Sequence, residues 1–129
     1  MSAASWPLQV AIVAALKPAL NPVPVLDDVS TNTAFPYVVI GEDTVTDWST
    51  VDRDGEELDT TVHVWSRYAG RKEIKELMGK VKTALHEQRL TVAGQHLVSL
   101  RFAFETSFVE PDGRTRHGVI RFTGLLQSP

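Results

Sequence analysis

Leu58-Asp59-Thr60-Thr61-Val62-His63-Val64-Trp65-Ser66-Arg67-Tyr68 alternates residue by residue, with Leu58, Thr60, Val62 and Val64 on one face and Asp59, Thr61, His63 and Trp65 on the other. A period of two marks a half-buried antiparallel strand with its apolar face inward. Gly70 breaks the pattern and the period changes at once. Ile74, Leu77, Met78, Val81 and Leu85 recur at helical spacing, which predicts a helix from about Arg71 to Gln88. Trp65 falls on the nominally polar face of the strand, so that face is expected to meet something.

Outward from this strand–helix unit, Phe35-Pro36-Tyr37-Val38-Val39-Ile40-Gly41 is rich in β-branched and aromatic residues and predicts a strand starting at Pro36. Near the start, Ser5-Trp6-Pro7 reads as a helix entry with Ser5 as N-cap, followed by Leu8, Ile12, Ala15 and Leu16 at helical spacing. Pro18 is expected to end or kink that helix, because it lacks an N–H and its ring clashes with the preceding turn. Val23, Val25 and Leu26 sit among prolines and suggest a short edge strand. In the last third, His96 to Phe108 predicts a strand with Leu100, Phe102 and Phe104 inward and Arg101, Ala103 and Glu105 outward. The turn Glu110-Pro111-Asp112-Gly113 then leads into a closing strand, Thr115 to Leu125, with Ile120 and Phe122 inward. The expected fold is α+β: an antiparallel sheet of about four strands, two α-helices packed on one face, and a long acidic loop between two strands. With 129 residues, one domain over 1–129 is expected.

Composition excludes several classes of chemistry. The chain has no Cys, which removes disulfides, thiolate metal sites and cysteine nucleophiles. Its four histidines lie in four different elements and show no HExxH spacing, and no GxSxG, GxxxxGK[ST] or GxGxxG motif occurs. Asp27-Asp28, beside prolines in a connector, reads as solvated. No catalytic residue, cofactor or metal is expected. The most apolar stretch, Leu8 to Leu16, is far shorter than the ~20 residues of a membrane span, and no basic segment precedes it. A soluble protein assembled in the cytoplasm, with no membrane partner, is expected.

Charge is segregated. The net charge is −3, yet Glu42 to Asp59 holds eight acids and only Arg53 as a base, so the rest of the chain is net positive. Overall acidity argues against a general nucleic-acid binder. The acidic stretch reads either as a solvated loop or as a negative surface that repels or steers a charged partner. A calcium site fits poorly, since the regular loop spacing is missing.

Several motifs arrive together: Phe35 to Asp43, then His63-Val64-Trp65-Ser66-Arg67 with Gly70-Arg71-Lys72-Glu73, then Leu97 to Phe102, then Asp112-Gly113 with Arg116 to Phe122. In this order they resemble the tail-completion, or tail-terminator, family of long-tailed bacteriophages, prophages and gene transfer agents. The resemblance covers about residues 5–126. It implies a structural protein with no catalysis, forming a homo-hexameric ring that caps the tail tube and joins it to the head connector. Its implied partners are the tail-tube protein, the connector (stopper) protein and DNA passing through the bore without specific binding. Its implied place is the head–tail junction of a virion or phage-like particle. A connector stopper or a tail-tube subunit is the alternative, and an uncharacterised ligand-binding or enzymatic α+β domain a more distant one. Within that reading, Asp43, Asp47, Asp52, Asp54, Glu56 and Glu57 are candidates for an acidic wall at the bore or its rim. Trp48, Trp65, Val39 and Val119 are candidates for contacts between subunits.

Overall fold

The alternating stretch lies in strand Gly55–Ser66, and the helical stripe in helix Lys72–Leu85. The computed structural model describes residues 3–129. In chain order the elements are α1 (Ser5–Leu20), β1 (Val25–Leu26), β2 (Tyr37–Asp47), β3 (Gly55–Ser66), α2 (Lys72–Leu85), β4 (His96–Val109) and β5 (Arg116–Gln127). One sheet has the order β1-β2-β3-β5-β4, with β1 parallel to β2 and the other neighbours antiparallel. The sheet is thus mixed and has five strands, not four. The fifth is the short edge strand beside the prolines, where a missing N–H costs no ladder bond.

Both helices join the sheet in one hydrophobic cluster that includes Leu8, Ile12, Leu16, Val38, Val62, Ile74, Val81, Leu100, Ile120 and Phe122. Two β5 glycines receive the helices. A Cβ on Gly124 would come within 3.3 Å of Leu8 in α1, and one on Gly118 within 2.6 Å of Met78 Sδ in α2. These glycines replace side-chain bulk where helix meets strand. Leu77, 6% exposed, lies in the same cluster, so Leu77→Ala should cost ~2–5 kcal/mol, as buried leucines do. An unchanged melting temperature would mean that α2 does not pack in this register.

The long acidic loop expected between two strands is not what the structure shows. β2 continues through Asp47 and β3 begins at Gly55, with Thr44 opposite Asp59, Val45 opposite Leu58 and Asp47 opposite Glu56. Backbone ladder bonds are indifferent to side-chain polarity, so a solvated ribbon extends without an apolar pattern to announce it. The irregular connection shrinks to residues 48–54. It is closed by Trp48 N–H to the Gly55 carbonyl (2.9 Å) and Thr50 N–H to the Arg53 carbonyl (2.8 Å). Arg53 Nε also donates to the Ser128 carbonyl (2.9 Å), tying the tip to the last residues.

Three further expectations are corrected, at Pro18, at the α1 N-cap and in β4. α1 continues through Pro18 to Leu20, whose burial at 1% exposure holds the last turn despite the missing N–H. Its N-cap is Ala4 rather than Ser5. In β4, irregularities between Leu97 and Ser99 and between Phe102 and Phe104 each insert a residue. The second lies beyond Leu100 and Phe102, so it reverses the facing of later residues relative to those two. Phe104, expected in the core, is therefore 49% exposed, while Glu105 turns to Lys82 of α2 and forms an ion pair.

Candidate interaction surface

Side chains alternating with the core positions line the second face of the sheet, and register groups them into rows. Tyr37 pairs with Trp65, Trp65 with His117, and His117 with Phe108, one residue from each of β2, β3, β5 and β4. The row is stacked: Trp65 and His117 lie 3.7 Å apart at 15°, Tyr37 and Trp65 6.3 Å apart at 28°. Phe108 tilts against His117 at 5.0 Å and is 46% exposed. Phe35 extends the row beside Tyr37 and lies under the Arg67 guanidinium at 4.2 Å. Burial pushes the Tyr37 hydroxyl pKa up, with Arg67 opposing.

The next row is Val39, His63, Val119 and Thr106. Here a chain of polar contacts crosses the sheet. Glu42 Oε1 lies 3.2 Å from His63 Nε2, His63 Nδ1 lies 2.7 Å from His117 Nε2, and His117 Nδ1 lies 2.8 Å from Glu110 Oε1. Gly41 makes the approach possible, because a Cβ there would stand 2.5 Å from the His63 ring. Burial pushes His117 below the ordinary imidazole value; the Glu110 bond opposes this and the charge of His63 adds to it. Glu42 is held below the usual carboxylate range, chiefly by a bond from its own backbone N–H and then by His63. Position in sequence gave no sign of this cluster, since His63 and His117 stand far apart in the chain. Their meeting follows from β3–β5 register alone.

The predicted interface residues divide. Val39, Trp65 and Val119 share this face and are half-buried. Trp48 is remote from them at the β2–β3 tip, 37% exposed, next to a fully exposed Val51.

The acidic residues divide as well. Asp43 accepts from Ser5 Oγ (2.6 Å) and Glu56 accepts from Ala4 N–H (2.8 Å), so both carboxylates sit at the N-terminus of α1. Negative charge there is favoured by the helix dipole and replaces a conventional side-chain cap. Asp47 accepts from Ser49 and Asp52 from Thr50, ordering the tip. Glu57 lies between Thr46 and Leu125 on the ribbon, and the Asp54 carbonyl accepts from Ser128 N–H. A composition count could not show that part of the acidic segment serves the first helix.

The tip is also sterically specified. A Cβ on Gly55 would lie 2.5 Å from the Trp48 carbonyl oxygen and 3.2 Å from that of Leu126, both backbone atoms that cannot swing away. Gly55→Ala is expected to cost ~1–3 kcal/mol by overpacking. Gly79, inside α2 with open space around it, gives the opposite sign: Gly79→Ala should add ~1 kcal/mol through helix propensity. Chemical denaturation of the pair checks both, and equal effects would contradict the tip geometry.

Elsewhere the surface offers depressions, such as one of about 450 Å³ lined by Lys75, Met78, Lys82 and Glu105. Among the described residues no group of three or more His, Cys, Asp or Glu is placed to hold a metal ion. No helix among them is long and apolar enough to cross a membrane.

The fold is α+β, with an aromatic row across the second sheet face and a charged β2–β3 ribbon. The sequence profile of the tail completion protein gp17 family matches residues 10–126. The tail completion protein gp17 of Bacillus phage SPP1 is 33% identical over 91 residues, which is 69% of this chain and 67% of the relative. The solved structure of bacteriophage SPP1 gp17 superposes with a TM-score of 0.63 at 25% identity, covering 96% of this chain and 95% of that one. A chain from the virion of a native gene transfer agent particle superposes with a TM-score of 0.88 at 22% identity, covering 99% of this chain and 100% of that one. The chain belongs to the tail completion protein gp17 family. It is a structural tail completion protein and not an enzyme.

Proposed function

We propose that six copies form a ring that caps the tail tube and joins it to the head connector, with DNA passing through the bore. The observation that carries this reading is the aromatic sheet face. Leu8 and Met78 reach β5 at Gly124 and Gly118, positions of equal parity, so both helices cover one face and leave the other to a neighbour. Phe104 and Phe108, exposed beside half-buried Trp65, leave apolar surface open on that face, and such surface on a small domain marks a site of contact. A ring built head to tail uses two different patches of each subunit. Val39, Trp65 and Val119 supply one, and Trp48 at the hairpin tip supplies part of the other. Tube protein and connector protein then meet the two rims of the ring, at the head–tail junction.

Within this reading the β2–β3 tip lines the bore or its rim. DNA phosphates bind basic walls strongly through counterion release. Asp47, Asp52, Asp54 and Glu57 give a wall of the opposite sign, which keeps the duplex from sticking in transit. Asp43 and Glu56 contribute to its potential while holding α1. Alternative places in the same particle, a connector stopper or a tube subunit, predict other symmetries or stacked rings.

The test is the mass of the purified chain as concentration rises, with negative-stain images of the product. A mass near six subunits and single closed rings are expected; a chain that stays monomeric with tube protein present would overturn the ring. Replacing residues 48–54 by an Asn-Gly turn should leave the monomer folded and reduce the yield of joined, infectious particles. Normal yield after that replacement would remove any role for the tip in joining or transit.

A further inference from the structure

We propose that Glu42, His63, His117 and Glu110 form a proton-binding site in which the two imidazoles share one proton beyond those of two neutral rings. The basis is a count of hydrogens along the chain of contacts. Two neutral imidazoles carry two ring protons between them. The outer contacts use both: His63 Nε2–H donates to Glu42, and His117 Nδ1–H donates to Glu110, since an ionised carboxylate only accepts. The remaining nitrogens, His63 Nδ1 and His117 Nε2, face each other at 2.7 Å. Two bare lone pairs would repel at that distance, and a third proton between them makes an N–H···N bond. A metal does not fit there, because nitrogens ~2.0–2.1 Å from a tetrahedral zinc lie about 3.3 Å apart.

The surroundings suit a single positive charge. Glu42 and Glu110 flank the pair with two carboxylates. The other titratable or charged groups facing this part of the sheet, among the described residues, are Tyr37 of β2, Asp59 of β3, Arg67 after β3 and Arg121 of β5, while β4 presents Thr106 and Phe108. Side-chain exposure of only 18% for His63 and 12% for His117 keeps water from replacing the partner bonds. A fourth proton at low pH would set N–H against N–H. Loss of the third at high pH leaves His63 a single N–H, so it must give up either its bond to Glu42 or its bond to His117. The array is therefore intact in a bounded pH window, and both edges belong to the pair rather than to either ring. His117 also stacks on Trp65 and Phe108, so the site is continuous with the aromatic row.

Ring-nitrogen NMR of the full chain, titrated from about pH 5 to about pH 9 around the ordinary imidazole range, reads the site directly in the monomer, independently of any ring. Expected are two separate steps shared by both histidines and, between them, three protonated ring nitrogens with scalar coupling across the His63–His117 bond. Glu110→Gln removes a stabilising negative charge and should move the upper step to lower pH. Gly41→Ala, which displaces the His63 ring, should abolish the coupling. Two independent single-step curves, with no coupling and no response to Glu110→Gln, would overturn the proposal.

Discussion

Phe122→Ala is expected to lower stability by ~3–5 kcal/mol, the usual cost of removing a buried aromatic ring. Phe122 is fully buried on β5, the strand bonded to both β3 and β4. Its ring meets Phe102 edge-on at 6.3 Å and belongs to the cluster that both helices enter. Truncation removes contacts from two strands and the helical layer at once, and β5 Gly118 and Gly124 offer no bulk to fill the space. For a domain whose whole stability is ~5–15 kcal/mol, that loss is a large fraction of what keeps it folded. A fall below 1 kcal/mol in urea denaturation would show that the centre of the sheet is not packed as described.

Trp65→Ser should weaken assembly ~30-fold or more, because truncating an interface tryptophan commonly costs ~2 kcal/mol or more. The cost to the isolated chain is smaller. Trp65 is half-buried and contributes chiefly its stack on His117, an aromatic contact worth ~0.5–1.5 kcal/mol beyond area burial. Comparing melting of the dilute monomer with concentration-dependent mass separates the two effects. If both fall together, Trp65 is a packing residue of one subunit and the sheet face is not the contact surface.

Much of the architecture was legible because periodicity reports directly on what each face of an element meets. Strand β3 and helix α2 announced themselves by periods of two and 3.6, and the Pro111–Gly113 turn located the β4–β5 hairpin. Asp112 accepts from Thr115 and Arg114 there, which holds its pKa at about 2. Even the weak strand at Val25–Leu26 was readable from its proline flanks. The family was legible for another reason: its motifs are residue identities in order, and they do not require a structure.

What stayed hidden depends on pairing across the chain. The β4 bulges that expose Phe104 and turn Glu105 to Lys82 arise from fitting β4 to β5, and no local pattern records an inserted residue. The ribbon through Asp43–Asp47 exists because β3 supplies ladder partners, whereas its side chains alone resemble a loop. Asp43 and Glu56 serve α1 only once the sheet carries them to its N-terminus. The sequence by itself determined the inward-facing residues of β3 and α2, the hairpin turn and the family, since these rest on neighbours along the chain. The histidine pair and the aromatic row were decided by tertiary structure alone, because register sets which residues of β2, β3, β5 and β4 stand opposite one another, and register is a property of the assembled sheet.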